Sequence, residues 1–127
     1  MLAHPDVNCV FSPWEYIGAV LPDKRFPTYD PETIHAVHQI PAWSAFTREL
    51  WDAMNGHDEN AGVIGADWDF FVRASVAGVL RPHQLDRPYL KLRVRQDRKS
   101  LSEESHWPTL HRHLCGVAGK PVPEWAQ

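Results

Sequence analysis

The eight histidines are the residues best suited to bind a metal ion or transfer protons. His35 and His38 are three residues apart, and His111 and Cys115 are four apart with His113 between them. On a helix, either spacing places two side chains on one face, where they could share a metal ion. A structural zinc site normally contains closely spaced cysteines, and the two cysteines of this chain are far apart. The sequence therefore predicts no metal site and no cofactor, and the histidines are interpreted as half-exposed surface residues.

A second titratable group combines one histidine with four carboxylates: His57, Asp58, Glu59, Asp67 and Asp69. Such a cluster could perform general acid–base catalysis or bind a hard cation. The alternative is structural, because negative charge is favourable in the first turn of a helix and these residue types are common in loops. The sequence contains no phosphate-binding loop, dinucleotide-binding glycine pattern, nucleophile elbow or zinc-protease motif. It therefore predicts no catalytic residues and favours a non-enzymatic protein.

The strongest single feature is a basic segment covering residues 87–99. Against one carboxylate, Asp97, it carries six cationic side chains: Arg87, Lys91, Arg93, Arg95, Arg98 and Lys99. On a strand, the side chains of residues 91, 93 and 95 would share one face at intervals of roughly 6.5–7 Å, a spacing that could follow a phosphate backbone. Tyr89 and Trp107 flank the segment and could stack on bases. The alternative is a solvated edge strand, whose cationic side chains prevent aggregation.

Charge is divided unevenly along the chain, although the net charge is only −3. Residues 1–70 carry −8 and residues 71–127 carry +5. This predicts an acidic and a basic surface, unless the two halves interleave in space. Of the six tryptophans, Trp43, Trp51 and Trp68 are assigned to the core, and the others are candidate interface anchors. The predicted partner-binding residues combine those anchors with acidic side chains: Trp14, Glu49, Asp52, Asp58, Glu59, Trp107 and Trp125.

The element that must organise these side chains is a helix predicted over residues 66–80. Its inward stripe has apolar residues at helical spacing: Trp68, Phe71, Val72, Val76, Val79 and Leu80. The opposite side also contains Phe70, Ala74 and Ala77, and a helix that is apolar on most sides is normally central. We expect Asp67 to cap its first turn and Pro82 to end it.

Capping patterns and amphipathicity predict four more helices. Ser12-Pro13-Trp14-Glu15 predicts a helix from Pro13 to about Val20, and Asp30-Pro31-Glu32-Thr33 predicts one reaching about Gln39. A third covers residues 42–55, with one apolar face and Gly56 as its left-handed cap. The last covers residues 108–115 and is closed by Gly116, before an extended C-terminal tail over residues 117–127.

Strict alternation predicts a half-buried strand over residues 89–95, with Leu90, Leu92 and Val94 facing inward. One strand needs partners, and residues 7–11 and 61–64 are the candidates. The sequence therefore predicts an α+β fold, with four to five short helices around helix 66–80 and a small antiparallel sheet that includes strand 89–95. If neither candidate pairs with that strand, the fold is all-α.

The 127 residues fit a single globular domain, residues 1–127. No apolar run approaches the roughly 18 residues that span a bilayer, and residues 1–6 lack the features of a signal peptide. We therefore expect a soluble cytoplasmic protein without membrane contact. Cys9 and Cys115 are expected to be free buried thiols.

These features favour a small non-enzymatic module that binds and modulates a protein partner, either alone or within a ribonucleoprotein complex. In size and character only, the chain is similar to stand-alone inhibitors such as anti-CRISPR and immunity proteins. The first alternative is a nucleic-acid-binding protein that uses the basic segment. The second is a small hydrolase or metal-dependent enzyme.

Overall fold

The computed structural model describes residues 4–18, 28–58, 65–94 and 106–127. In chain order, its elements are β1 (Cys9–Phe11), β2 (Trp14–Gly18), β3 (Ala45–Phe46), α1 (Arg48–Ala53), α2 (Ala66–Val76), β4 (Pro82–Gln84), β5 (Leu90–Val94), α3 (Trp107–Ala118) and a 3-10 turn (Glu124–Ala126). The α+β class is confirmed. The predicted four to five helices are not, because the described residues form three α-helices.

Two small sheets are built largely from the same two stretches of chain. β1 lies between β3 and β4, antiparallel to β3 and parallel to β4. β2 pairs in parallel with β5, from Trp14 opposite Leu90 to Gly18 opposite Val94. Pro13 separates β1 from β2, where its missing N–H cannot contribute to a ladder. The predicted strand 89–95 is confirmed over residues 90–94, but its pairing is parallel and not antiparallel.

The helix predicted from Pro13 to about Val20 is wrong, because residues 14–18 form β2. The capping box satisfies only the first turn of a helix, worth about 1 kcal/mol. Five consecutive residue pairs join β2 to β5, and the residue types of Trp14, Tyr16 and Ile17 favour strands. Neither candidate partner is seen to pair with β5, since β1 pairs elsewhere and residues 61–64 lie outside the described part of the chain.

The predicted helix over residues 42–55 is shortened at both ends. Residues 45–46 form β3 instead, and α1 begins after Thr47, whose Oγ1 accepts a hydrogen bond from the Leu50 amide at 3.2 Å. Turns replace the helix that was predicted to reach Gln39. The Asp30 carbonyl accepts a hydrogen bond from the Ile34 amide at the start of these turns. Because residues 45–46 pair with β1 in an antiparallel arrangement, the first two turns of the helix predicted over residues 42–55 do not form.

α2 is central, as its all-round apolar pattern predicts. Six of its eleven residues are buried: Trp68, Asp69, Phe70, Phe71, Val72 and Ala74. The helix ends at Val76, four residues earlier than predicted, because Gly78 adopts a left-handed φ of 73° and the Val79 amide bonds back to the Ala74 carbonyl. Gly65, and not Asp67, is the N-cap residue.

α3 packs against α2 and carries the C-terminal residues back onto the domain. It runs to Ala118 and is closed by left-handed Gly119, three residues beyond the predicted closing residue, Gly116. Arg112 Nη1 donates a hydrogen bond to the carbonyl of buried Ala126 at 2.8 Å. This bond fixes the 3-10 turn, and with it Trp125, against α3.

Both cysteines are free and buried, as predicted. Burial raises the pKa of Cys9 to about 12, although a hydrogen bond with Ser44 opposes the shift. Burial also raises the pKa of Cys115. Neither thiol is therefore poised as a nucleophile at neutral pH.

Candidate functional site

Two adjoining cavities share His38 and Asp67 in their linings. The main cavity has a volume of about 530 Å³ and is lined by Ala36, Val37, His38, Gly65, Asp67, Trp68, Trp107, Leu110 and His111. The side cavity has a volume of about 170 Å³ and is lined by Trp14, His38, Pro41, Ala42, Trp43 and Asp67. We call the two together the aromatic groove, because tryptophan and histidine rings line both.

The first turn of α2 supplies the carboxylate of the groove, Asp67, and the ring at its floor, Trp68. Asp67 and Trp68 are adjacent, so one side chain faces the shared wall while the other enters the core. The indole Nε1 of Trp68 donates a hydrogen bond to the Ile34 carbonyl, which ties the ring to the segment that carries His38. The buried indole of Trp68 is thus held in place and still lines the main cavity.

The turns between residues 30 and 41 position His38. Gln39 accepts a hydrogen bond from the Asp30 amide at 2.7 Å and donates one to Thr33 Oγ1 at 2.9 Å. The side chain of Gln39 is buried and acts as an internal clamp across the segment. The neighbouring His38 therefore has a fixed backbone, from which its ring stacks on Trp68 at 5.1 Å between centroids.

α3 supplies the other wall of the main cavity. His111 is buried and meets Trp68 edge-on at 5.2 Å. Trp125 covers His111 at 4.8 Å, and Trp107 lies at 6.3 Å. Three aromatic contacts converge on one imidazole, so the ring positions around this wall depend on one another.

The side cavity is formed where β2 meets the loop after Pro41. Trp14 and Trp43 make a T-shaped contact there, with centroids 5.6 Å apart. Trp43 was assigned to the core from the sequence, and this is wrong because its side chain is exposed. The predicted helix over residues 42–55 included Trp43 in its apolar stripe, but α1 begins only at Arg48, so Trp43 lies outside the helix.

His38 and Asp67 form the polar centre of the groove. The Nε2 of His38 lies 3.2 Å from Oδ2 of Asp67, and both side chains retain solvent access. Burial acts to raise the pKa of Asp67, but hydrogen bonds from His38 and from the backbone of Trp68 outweigh burial and hold that pKa below its usual 3.8. The carboxylate is therefore ionised at neutral pH.

The two other histidines near this wall are held towards their neutral forms. Burial, followed by the charge of Lys120, lowers the pKa of His35, while Glu32 opposes that shift. Burial, followed by the charge of His35, lowers the pKa of His111. Both imidazoles are mainly uncharged at neutral pH, because their usual value is 6.5.

No protein-family model matches this chain, and no curated protein matches it. What the groove can bind follows from its own chemistry. The described linings contain aromatic rings, aliphatic side chains, one carboxylate and two imidazoles, and they contain no Ser, Thr, Cys or Lys that could act as a nucleophile. The groove is thus an aromatic and aliphatic surface that contains one ionised carboxylate.

A second polar cluster lies on the other side of α2 and is structural. Asp69 Oδ2 accepts a hydrogen bond from Arg73 Nε at 2.8 Å, and Asp69 Oδ1 lies 2.6 Å from His113 Nε2. Arg73 also donates to the carbonyls of Met54 and Gly56 after α1. A depression of about 600 Å³ lies beside Arg73, but the guanidinium is already engaged by these acceptors. The cluster therefore joins the three helices.

The histidines and carboxylates that were considered as metal ligands or acid–base groups take separate partners in the fold. His38 pairs with Asp67, His111 with tryptophans, and His113 with Asp69. Among the described residues, no three His, Cys, Asp or Glu side chains gather in a way that could hold a metal ion. Asp67 and Asp69, which were considered together as an acid–base cluster, also take different partners.

The predicted charged sites remain apart from the aromatic groove. Glu49 and Asp52 are exposed on α1, and Asp58 lies in the turn after it. Arg87 and Lys91 are exposed before and within β5, which also contains Arg93. The other predicted binding residues lie outside the described part of the chain: Glu59, Arg95, Arg98 and Lys99.

Sequence reasoning singled out two tryptophans of the groove lining, Trp14 and Trp107, as binding residues. Among the lining residues that it missed as a site are Val37, His38, Asp67 and Trp68. They come from two segments that are distant in sequence, and local spacing carries no information on that contact. Ile34 and Val37 are three residues apart and fit the inward stripe of a short helix, so nothing in the sequence indicates that Val37 is exposed.

Acidification should destabilise the fold through His111. The pKa of His111 in the folded protein lies below the usual 6.5. As the pH falls through 6.5, this histidine is therefore protonated more in the unfolded chain than in the folded protein, and the free energy of unfolding declines. Urea midpoints measured from about pH 7.5 to about pH 5.5 should fall more steeply in the parent than in His111→Gln. His106→Gln, on an exposed histidine, is the control. Equal slopes for the parent and His111→Gln would contradict this assignment.

Proposed function

We propose that the protein is a small binding module that docks a protein partner through the aromatic groove. The observation that carries the proposal is the exposure of three tryptophans around it: Trp43 is 42% exposed, Trp107 48% and Trp125 58%. Val37, on the rim of the main cavity, is also exposed. Large apolar side chains gathered at one place on a surface mark interaction sites, and tryptophan is enriched among residues that dominate binding energy.

The shape of the groove supports a preformed site. Gln39 fixes the His38 segment, Trp68 is hydrogen-bonded to Ile34, and Arg112 fixes the turn that carries Trp125. Side chains that are already ordered lose little entropy when a partner binds. A cavity of about 530 Å³ is large enough to receive one or two side chains from a protein surface.

Charged surfaces away from the groove would assist encounter. Glu49 and Asp52 on α1 present negative charge, and Arg87 and Lys91 present positive charge. Charges at the rim of an interface mainly raise the association rate and fix orientation. We propose that the protein acts as a stand-alone inhibitor. The groove would supply the binding affinity, and these charged surfaces would raise the rate of association with the partner.

The nucleic-acid alternative has weaker support from the described residues. Arg87 lies over the ring of Tyr89 at 5.1 Å and donates a hydrogen bond to its hydroxyl at 3.0 Å. This contact occupies one face of the ring and one donor of the guanidinium, both of which base stacking and phosphate contact would use. The groove offers a larger preformed surface, with a main cavity of about 530 Å³.

Replacing Trp107 with alanine should weaken partner binding by about 2–4 kcal/mol and leave the fold intact, because the side chain lies at the rim of the groove. The measurement is quantitative affinity capture from cells that contain the partner, followed by titration of the captured protein. Tyr89→Ala is the matched control, since it removes an exposed aromatic ring outside the groove. Equal affinity for the parent and Trp107→Ala would refute docking through the groove.

A further inference from the structure

The centre of the aromatic groove combines a negative charge with aromatic walls. The Asp67 carboxylate is ionised at neutral pH and faces both cavities. The charged neighbours on the adjoining segments, Lys120 and Glu32, pair with each other at 3.1 Å. The imidazole in contact with Asp67 is that of His38, at 3.2 Å, and burial lowers the pKa of His111 on the opposite wall.

We propose that the aromatic groove recognises a cationic side chain, a lysine ammonium or an arginine guanidinium, presented by the protein partner. This inference rests on the proposed function and specifies the chemistry of the residue that enters the groove. Asp67 is the recognition carboxylate, and the rings of Trp68 and Trp107 form the aromatic surface around the guest.

A cation satisfies both properties of the groove together. Aromatic faces attract a cation placed within about 6 Å of the ring centroid, and tryptophan does so most strongly. A carboxylate adds a charge-assisted hydrogen bond, which is shorter and stronger than a neutral one. The aliphatic stem of lysine or arginine would cover Val37 and Leu110, in the way that long cationic side chains cover apolar surface elsewhere.

The other classes of guest fit less well. An anion would be repelled by Asp67, whose ionised form is held by hydrogen bonds. A purely apolar side chain would fill the cavity but would remove water from the carboxylate without replacing its hydrogen bonds. Charge complementarity therefore selects a cation from among the side chains that the cavity could hold.

His38 acts as a positioning residue for this carboxylate. Its Nε2 lies 3.2 Å from one oxygen of Asp67, and its ring stacks on Trp68. These two contacts fix the carboxylate relative to the indole ring of Trp68. An ionised carboxylate has about four acceptor sites on its two oxygens. His38 and the backbone amides of Asp67 and Trp68 use up to three of these sites, which leaves at least one to accept a hydrogen bond from a guest.

The experiment uses defined small probes and the whole chain. Nα-acetyl-arginine methylamide is titrated into ¹⁵N-labelled protein, and the indole N–H signals of Trp68 and Trp107 are followed by NMR. The neutral analogue Nα-acetyl-citrulline methylamide has nearly the same shape and is the matched probe. We expect the arginine probe to shift both indole signals and to bind about tenfold more tightly than the citrulline probe.

A variant of Asp67 tests whether this carboxylate supplies the charge that binds the arginine probe. Asp67→Asn preserves the shape of the side chain and should weaken the arginine probe by about tenfold, bringing its affinity close to that of the citrulline probe. Asp86→Asn removes an exposed carboxylate outside the groove and should leave the affinity unchanged. The comparison of the two probes on the parent protein needs no folded variant, so instability of Asp67→Asn would not remove the test.

Equal binding of the two probes to the parent, or the absence of shifts at both indoles, would overturn cation recognition. Failure of this inference is distinguishable from failure of the proposed function. Partner capture that requires Trp107 while the probes bind equally would leave the docking proposal standing and refute the cationic guest. Capture that is independent of Trp107 would refute docking through the groove itself.

Discussion

Replacing Phe70 with alanine should remove a large part of the stability of this fold. The side chain is fully buried on the central helix α2, and its ring lies 5.1 Å from Phe46, 5.3 Å from Phe71 and 5.6 Å from Trp51. Truncating a buried phenylalanine costs roughly 3–5 kcal/mol, because transfer free energy is lost and a cavity remains. A domain of this size has about 5–15 kcal/mol in total.

Urea unfolding followed by circular dichroism measures the free energy of unfolding directly. Val76→Ala is the matched control on the same helix, because the Val76 side chain is 56% exposed and its truncation should change stability by no more than about 0.5 kcal/mol. If Phe70→Ala stayed within about 1 kcal/mol of the parent, the cluster around α2 would not be the centre of the core.

The contrast between Phe70 and Val76 also shows where sequence reasoning about α2 succeeds and fails. The helix was predictable because apolar residues at helical spacing are a local property of the chain. Val76 was assigned to the inward stripe, and this is wrong because the helix ends there and leaves the side chain exposed. Pro82 was expected to end the helix, but the left-handed residue that ends it is Gly78.

The sheets show the limit of local patterns more clearly. β5 was predictable from its alternation, since that pattern depends only on neighbouring residues. Its partner β2 was not, because the Ser12–Glu15 segment contains a complete helix-start signal. Pairing with a strand more than seventy residues away decided the conformation. Tertiary contacts override capping preferences that are worth about 1 kcal/mol.

The candidate site was predictable only in part for the same reason. Trp14 and Trp107 were identified as candidate anchors because they lie at element edges, and both line the aromatic groove. His38 and Asp67 come from segments separated by nearly thirty residues, and their pairing arises from the packing of the turns against α2. Asp67 was interpreted as a helix cap, and a capping residue type does not reveal a second partner.

Asp69 illustrates a related error, and it carries the second large expected effect. Sequence reasoning grouped Asp69 with the titratable residues around the start of the helix, yet the residue is only 1% exposed. It is tolerated in the core because Arg73 and His113 satisfy its two oxygens. Removing one partner of such a cluster leaves the others without compensation, which costs roughly 3–5 kcal/mol when all the groups are buried.

Asp69→Ala should therefore destabilise the fold by about 3 kcal/mol, at the lower end of that range, because Arg73 and His113 retain some solvent access. The Arg73 bonds to Met54 and Gly56 should weaken too, since the carboxylate orients the guanidinium between α1 and α2. Urea unfolding gives the magnitude, and Asp52→Ala, on an exposed carboxylate, should change stability by no more than about 0.5 kcal/mol.

A double-mutant cycle separates this cluster from simple loss of packing. Once Asp69 is absent, His113 has lost its partner, so His113→Ala should cost less in the Asp69→Ala background than in the parent. We expect a coupling free energy of about 1–2 kcal/mol, within the range for residues in one hydrogen-bonded network. Strictly additive effects would mean that the 2.6 Å contact between Asp69 and His113 contributes nothing, and that α3 is held to α2 by apolar packing alone.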